Sequence, residues 1–486
     1  MIIFAFSIQQ LGWGILAVFG ILVGFGALVL VHEFGHFIIA KMVGIKVEAF
    51  AFGFGPKIIG RKRGETEYRI NWIPFGGYVK LAGMEGAEGK KPQEIEGGFY
   101  AVKPFRRSLA IAAGAFFNFL LALFIFTILW FTGRSVPEYM MSTTVGSFVE
   151  EKDEATNELK VGDRILSING RKVKNWEDIF NTVIFAYTDT FNLRIIRDGI
   201  ERDATVKSKE DEKSGARLLG ILPAVQVVVE DVKKDSIAEK IGLKKDDLIQ
   251  TAAGNPVGHI KDFKNILKNN INREIELGVV RNGEKILLKA IVPVPAEESE
   301  YPVLGFISSM SGPFVKIYEN PITSIKRTGS TVYWSLRKLL AIGSKYRVKP
   351  KAVSGPVGIM TIIYRSIFQS FSTYVWLIGF LSLNLCILNL LPVPILDGGH
   401  ILFAAIEGIR RKPVNEKVIA WATNVFFVLI VAFFLYVTAN DFKRILSPYF
   451  DKSEEKNHIK EEEKEKSLKE KNIEEPKDIP TIAPAN

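Results

Sequence analysis

His32-Glu33-Phe34-Gly35-His36 closes a run, Met1 to Val31, that contains no Asp, Glu, Lys or Arg. Histidines four residues apart share one face of a helix, and Glu33 follows the first of them directly. Neutral imidazoles are zinc ligands, and a catalytic zinc keeps one of four positions for water, whose pKa it lowers to about 7. Glu33 can then accept the water's proton and pass it to a leaving amine. The opposing reading, two packing histidines beside an unrelated glutamate, leaves unexplained why an ionisable trio stands at the edge of an apolar span, where it is costly.

A catalytic zinc needs a third protein ligand, which should come from another polar residue at similar membrane depth. The charge-free run Ser366 to Leu396 ends at Asp397, within Asn389-Leu390-Leu391-Pro392-Val393-Pro394-Ile395-Leu396-Asp397-Gly398-Gly399-His400. The two prolines interrupt helical hydrogen bonding and Gly398-Gly399 permit a sharp turn, so Asp397 is a carboxylate in apolar surroundings that must find a partner. His400 competes as a ligand; otherwise it is an outer residue or a helix-start residue.

The elements that must position these groups follow from composition. The 486 residues are 48% hydrophobic yet 24% charged, which requires intensely apolar segments. The charge-free runs Met1–Val31, Ser108–Gly133, Ser366–Leu396 and Val418–Asn440 are each long enough to cross a bilayer. The first is not read as a cleaved signal peptide, because no positive residue precedes it and no small-residue cleavage site follows. With four spans, the first and third run in the same direction, so His36 and Asp397 reach the same membrane face. The net charge of +10 lies largely in loops beside apolar segments and points to the lipid bilayer, with no nucleic acid as partner. A single cysteine, Cys386, excludes an intrachain disulfide.

Between the second and third spans the chain repeats itself at an offset of 84: Leu159-Lys160-Val161-Gly162-Asp163 onto Leu243-Lys244-Lys245-Asp246-Asp247, and Arg197-Asp198-Gly199 onto Arg281-Asn282-Gly283. Asp-Gly and Asn-Gly between alternating apolar runs signal hairpins. The pattern of each copy resembles PDZ domains, which implies peptide C-termini as partners, with a steric filter as the alternative role. Lys326 to Arg347 alternates apolar and basic positions, as expected of a helix lying in the membrane surface or of a plain solvated helix. The Lys/Glu-rich stretch after Asp451 reads as disordered.

His-Glu-x-x-His in the first span, the paired insert after the second, and Asn-x-x-Pro-x-x-x-Leu-Asp-Gly in the third together resemble the bacterial site-2 protease family. That resemblance implies one Zn2+ held by His32, His36 and Asp397, with Glu33 as the base and Asn389 and Pro392 engaging substrate. Gly53-Phe54-Gly55-Pro56 and Pro74-Phe75-Gly76-Gly77-Tyr78-Val79-Lys80 resemble the family's re-entrant β-loop, so Gly53, Phe54 and Gly55 are also expected to meet substrate. The implied substrates are single-pass membrane proteins already shortened by another protease, such as anti-sigma factors, or remnant signal peptides.

The expected molecule is therefore a polytopic α-helical membrane protein with four transmembrane helices, a re-entrant β-loop and two tandem PDZ-like α+β domains. The divisions are 1–43 and 105–133 for the first two spans flanking a 44–104 loop region, then 140–222 and 223–296 for the repeats. A linker at 297–365, a third span at 366–397, a loop at 398–417, a fourth span at 418–440 and a charged tail at 441–486 complete the chain. Basic residues after the first span (Arg61, Lys62, Arg63, Lys90, Lys91) and Arg410, Arg411 and Lys412 place those loops in the cytoplasm, and the resemblance implies that the membrane is a bacterial inner membrane. Both termini and the repeats are then outside; Arg337 and Lys345 point the other way. A non-catalytic PDZ scaffold with a structural metal site, or a metal transporter, are the alternatives. The first would not require Glu33, and the second should place polar residues along a full crossing path.

Overall fold

A computed structural model describes residues 8–84, 94–149, 158–211, 216–295, 299, 301–308, 312–340 and 353–471. The charge-free first run continues into helix α1 (Ile8–Met42), and α2 (Pro104–Thr132) opens on a proline whose missing N–H is no loss in a first turn. Among the described residues, four helical segments are long and apolar enough to cross a membrane: Val18–Met42, Pro104–Thr132, Phe371–Asn389 and Lys417–Arg444.

Between α1 and α2 lie strands β1 (Val47–Arg63) and β2 (Thr66–Leu81), each too long and too glycine-punctuated to run straight. Ala49, Phe50, Ala51 and Phe52 each have two Cα partners: Lys80, Val79, Tyr78 and Gly77 on one side, Glu67, Tyr68, Arg69 and Ile70 on the other. Both strands therefore bend back on themselves. The bends fall at Gly53, Gly55 and Gly76, with φ of 83°, 85° and 107°, a region that disfavours side chains. Trp72, Ile58, Ile59, Ile70 and Ile73 are exposed on this sheet, as suits a loop beside lipid.

The insert forms two units, each with its own core. The first carries α3 (Trp176–Ile184) over strands Arg164–Ile168, Thr190–Arg197 and Ile200–Lys207. The second carries α4 (Ile237–Lys240) and α5 (Ile260–Lys268) over strands Leu248–Ala252, Glu274–Arg281 and Glu284–Ile291. The 84-residue offset relates their buried ion pairs: Arg197 donates two hydrogen bonds of 2.7 Å to Asp163, and Arg281 donates two of 2.7 Å to Asp247. Their turns match too, with Asp198 and Asn282 both at φ 52°.

The C-terminal part departs from its expected divisions. The amphipathic helix α6 begins at Pro321 and ends at Leu339, and the rest of the expected stretch to Arg347 lies outside the described residues. The expected third span, 366–397, is broken twice. Helix α7 (Pro356–Gln369) ends at Ser370, whose backbone is extended, and α8 (Phe371–Asn389) ends before a turn. Pro392 and Pro394 lack the N–H groups that would carry α8 onward, so Asp397 opens a separate helix, α9 (Asp397–Arg410), where a plain loop at 398–417 was expected. The tail, expected to be disordered over 441–486, continues helix α10 (Glu416–Lys471) as far as Lys471, since Lys, Glu and Leu are strong helix formers, and 472–486 lie outside the described residues.

Small residues let these helices approach closely, the usual device where lipid supplies no hydrophobic drive. A Cβ on Gly20 would lie 2.6 Å from Ile367, one on Gly24 2.6 Å from Ile378, and Tyr374 donates to the Gly20 carbonyl at 2.8 Å. Asp441 of α10, fully buried, accepts the Gly358 N–H of α7 at 2.7 Å and an Arg444 bond at 2.7 Å.

The repeated ion pair gives a first expectation. Burial would raise the Asp247 carboxyl, but Arg281 and the Lys244 N–H hold it below its ordinary value. Its contribution is then complete above roughly pH 4 and is lost as pH falls through the lowered folded-state value. Arg281→Met leaves a buried carboxylate unpaired and should lower the opening free energy of the second unit by about 3 kcal/mol at pH 7. Native-state hydrogen exchange on the full chain, following amides of Glu274–Arg281, measures it, and the gap between variant and parent should narrow in acid.

Candidate metal centre

The three expected ligands converge. His32 Nε2 lies 3.1 Å from His36 Nε2 and 3.2 Å from Asp397 Oδ2, and His36 Nε2 lies 3.5 Å from that oxygen. Ligands at about 2.0–2.1 Å from a tetrahedral zinc stand about 3.3 Å from one another, so this triangle has the size one ion requires. Asp397 Oδ2 is buried and, despite its two close nitrogens, makes no hydrogen bond of acceptable angle. A cation would satisfy that oxygen where the imidazoles do not. The residues present thus fit Zn2+ in number, donor type and spacing, and His400 falls outside the group.

Local structure explains each placement. His32 and His36 are one helical turn apart on α1, with ring centroids 4.6 Å apart and planes at 88°, so their nitrogens face a common point without stacking. Gly35 between them is forced by packing: a Cβ there would lie 2.4 Å from the Ala113 carbonyl oxygen of α2. Gly114 faces the rings themselves, and a Cβ on it would meet His36 Nε2 at 2.3 Å and His32 Cε1 at 2.7 Å. His36 Nδ1 donates to the Ala110 carbonyl at 2.9 Å, which leaves Nε2 as the ligating nitrogen. Asp397 is set by the turn before α9, where Gly398 and Gly399 lie so close to the Leu391 and Val393 carbonyl oxygens that a Cβ on either would be 2.3 Å away.

Helix α9 is held from α2 as well. Arg107, 2% exposed, pairs with Glu407 at 2.7 Å and lies under the Phe99 and Tyr100 rings at 5.7 and 5.3 Å. Glu33 sits between the metal group and the sheet: its carboxylate takes a backbone hydrogen bond from Val79, and a Cβ on Gly77 would lie 3.6 Å from its Cγ, at ordinary contact distance. Asn389, the last residue of α8, brings its amide nitrogen to 3.4 Å from His32 Nε2. Pro392 lies in the turn that follows.

Gly53, Phe54 and Gly55 occupy the first bend of the sheet, where their neighbours are Asn71, Ile73 and Tyr78 and not the metal group. The part of the sheet that reaches Glu33 is Gly77 to Val79. Sequence reasoning passed over Gly114, Asn118 and Arg107 on α2. The signal was present in Asn118, a carboxamide inside an otherwise apolar run.

Compared with known proteins, residues 20–433 match the model of peptidase family M50. The regulator of sigma-E protease RseP of Escherichia coli (strain K12) is 30% identical over 461 residues, covering 87% of this chain and 98% of its own length. A Vibrio cholerae protein named "Putative zinc metalloprotease" is 28% identical over 453 residues, with the same coverage of 87% and 98%. Among solved structures, a PDZ domain of an SdrC-like protein from Listeria monocytogenes is 22% identical and covers 17% of this chain and 87% of itself, at a TM-score of 0.16, too low to bear on the fold.

The close approach of α2 has a measurable consequence. In Gly114→Ala the new methyl meets only the far ends of two side chains, which can swing away, so the protein should still fold. The swing displaces two ligand atoms, and zinc affinity should fall about tenfold or more. Chelator competition on the purified variant in detergent measures the loss, and thermal unfolding checks that the fold survives.

Proposed function

We propose the following division of labour for a chain that belongs to peptidase family M50 and is an intramembrane zinc metalloprotease of the site-2 type. His32, His36 and Asp397 hold the ion, Glu33 moves the proton, and Asn389 with the Gly77–Val79 edge of the sheet holds the substrate backbone. The observation that carries this is the triangle of donor atoms, 3.1 to 3.5 Å on a side, with Glu33 beside it.

Bound zinc supplies a Lewis acid that polarises the scissile carbonyl and makes water acidic enough to lose a proton near neutrality. Glu33 accepts that proton on its carboxylate and delivers it to the leaving amine nitrogen, so no covalent enzyme intermediate is needed. A transmembrane helix hides its peptide groups in its own hydrogen bonds, and cleavage requires local unwinding, which frees polar groups that must be satisfied at membrane depth. The Asn389 amide and the backbone at Gly77–Val79 can satisfy them, in the manner of a strand added to a sheet edge. Pro392 keeps the turn after α8 rigid, and Gly53, Phe54 and Gly55 shape the bend of the sheet.

The chain is read as an inner-membrane protein, with the two repeat units and both termini outside. Its substrates are membrane-anchored proteins, such as anti-sigma factors or remnant signal peptides, cut after a first protease has shortened them. The repeat units are PDZ-like and either bind peptide C-termini or exclude large ectodomains. A structural metal in a non-catalytic scaffold is the weaker reading, since such sites close with four protein ligands, whereas three converge among the described residues.

Glu33→Gln should leave folding and zinc content unchanged and reduce cleavage of a transmembrane model substrate by at least about 10²-fold. Cleavage at the parental rate in reconstituted vesicles would remove Glu33 from the mechanism. Asp397→Ala should lose zinc on dialysis, and an unchanged metal stoichiometry would transfer the third ligand to His400.

A further inference from the structure

Asn118 touches the metal triangle through its side chain, and the proposed mechanism does not use it. It lies on α2 one turn beyond Gly114, has 0% exposure, and is flanked by Phe116, Phe117, Phe119 and Leu120. A carboxamide buried in such surroundings is costly unless its polar atoms are paired. Its Nδ2 lies 3.1 Å from His32 Nδ1, while its Oδ1 is buried without a hydrogen-bond partner. The backbone carbonyl of the same residue is occupied separately, accepting from Ser382 at 2.8 Å.

His32 faces Asp397 and His36 through Nε2, so that nitrogen is the one able to ligate. Ligation through Nε2 needs its lone pair free and puts the ring proton on Nδ1, which then requires an acceptor. The carboxamide of Asn118 is the group at hand. A half-turn about its Cβ–Cγ bond exchanges nitrogen and oxygen in nearly the same volume, and the orphaned Oδ1 then accepts the Nδ1–H. His36 is treated in the same way by the Ala110 carbonyl at 2.9 Å. Resting on the metal reading above, we propose that Asn118 is the positioning residue of His32: its side-chain oxygen takes the Nδ1 proton, fixes the ring and aims Nε2 at the metal.

The alternative is that Asn118 only ties α2 to α8 through its backbone bond with Ser382. The two differ in metal affinity. Asn118→Leu, close in size but without an acceptor, should weaken zinc binding 10–100-fold in chelator competition, and shift the visible spectrum of the cobalt-substituted protein. Asn118→Asp keeps an acceptor in place and should retain affinity within about threefold. Ser382→Ala removes the helix tie alone and should leave affinity unchanged. Should Asn118→Leu not fold, Asn118→Ala, which removes volume instead of adding methyls, carries the same expectation. Parental affinity and an unshifted cobalt spectrum in the acceptor-less variant overturn the assignment of Asn118 while leaving the metal reading intact. Parental affinity in His32→Ala overturns both.

Discussion

The contact between α1 and α2 at backbone distance is the constraint from which the metal centre follows. Gly35 admits the Ala113 carbonyl from one side, and Gly114 admits the two imidazoles from the other. Only at that separation can the α2 backbone reach His36 through Ala110, and the Asn118 side chain reach His32. Asp397, the proposed third ligand, is referred to the same helix, because Arg107 of α2 grips Glu407 on α9. A buried ion pair of this kind is a poor source of net stability, since desolvation offsets most of its attraction, but it fixes geometry. Ligands far apart in sequence therefore take their positions from one helix that itself contributes none.

How much of this was legible depends on whether the relevant period was local. The spacing of His32 and His36 is a property of one helix, so it could be read without knowing any neighbour. Asp397 could be singled out because a carboxylate in an apolar run is conspicuous, yet its helical context could not. Hydropathy registers Ser366–Leu396 as one apolar run, whereas hydrogen bonding divides it at Ser370 and again at the prolines. The charged stretch up to Lys471 departs from its expected disorder for the opposite reason, since low hydrophobicity says that a segment cannot build a core but not that it cannot prolong a helix already nucleated in an apolar span. The glycines of α2 look like ordinary small residues until the facing helix is in place.

The sheet between α1 and α2 shows a related limit. Its sequence reads as two strands, but Gly53, Gly55 and Gly76 bend both, so the Ala49–Phe52 segment is paired on both sides. Gly77 to Val79, folded back from the second bend, is the stretch brought to Glu33. A straight hairpin of the same residues would present its tip, Arg61 to Arg63, in place of a glycine-bearing edge. The bends thus convert a basic, exposed hairpin into a wall for the metal group.

The large polar insert between α2 and α8 has its two ends joined to each other and to the start of α8. The chain leaves α2 as a strand, Arg134–Pro137, that pairs with the returning strand Phe314–Ile317, so entry and exit meet at one place. The same strand is stitched to the first turn of α8 by Ser135, which donates its N–H to Ser372 at 2.9 Å and accepts from Thr373 at 2.8 Å. From there α6 braces the first unit: Arg327 pairs with Glu177 at 3.2 Å, and the buried Lys338 donates to the Ala186 carbonyl under the Tyr187 ring. The second unit leans on the first through Ser147 and Asp262, 2.5 Å apart, and through Lys261 bonded to the Phe148 carbonyl at 3.0 Å. Asn389 stands at the far end of α8, beyond a segment where Gly379 packs against Ile125 and Phe126 of α2.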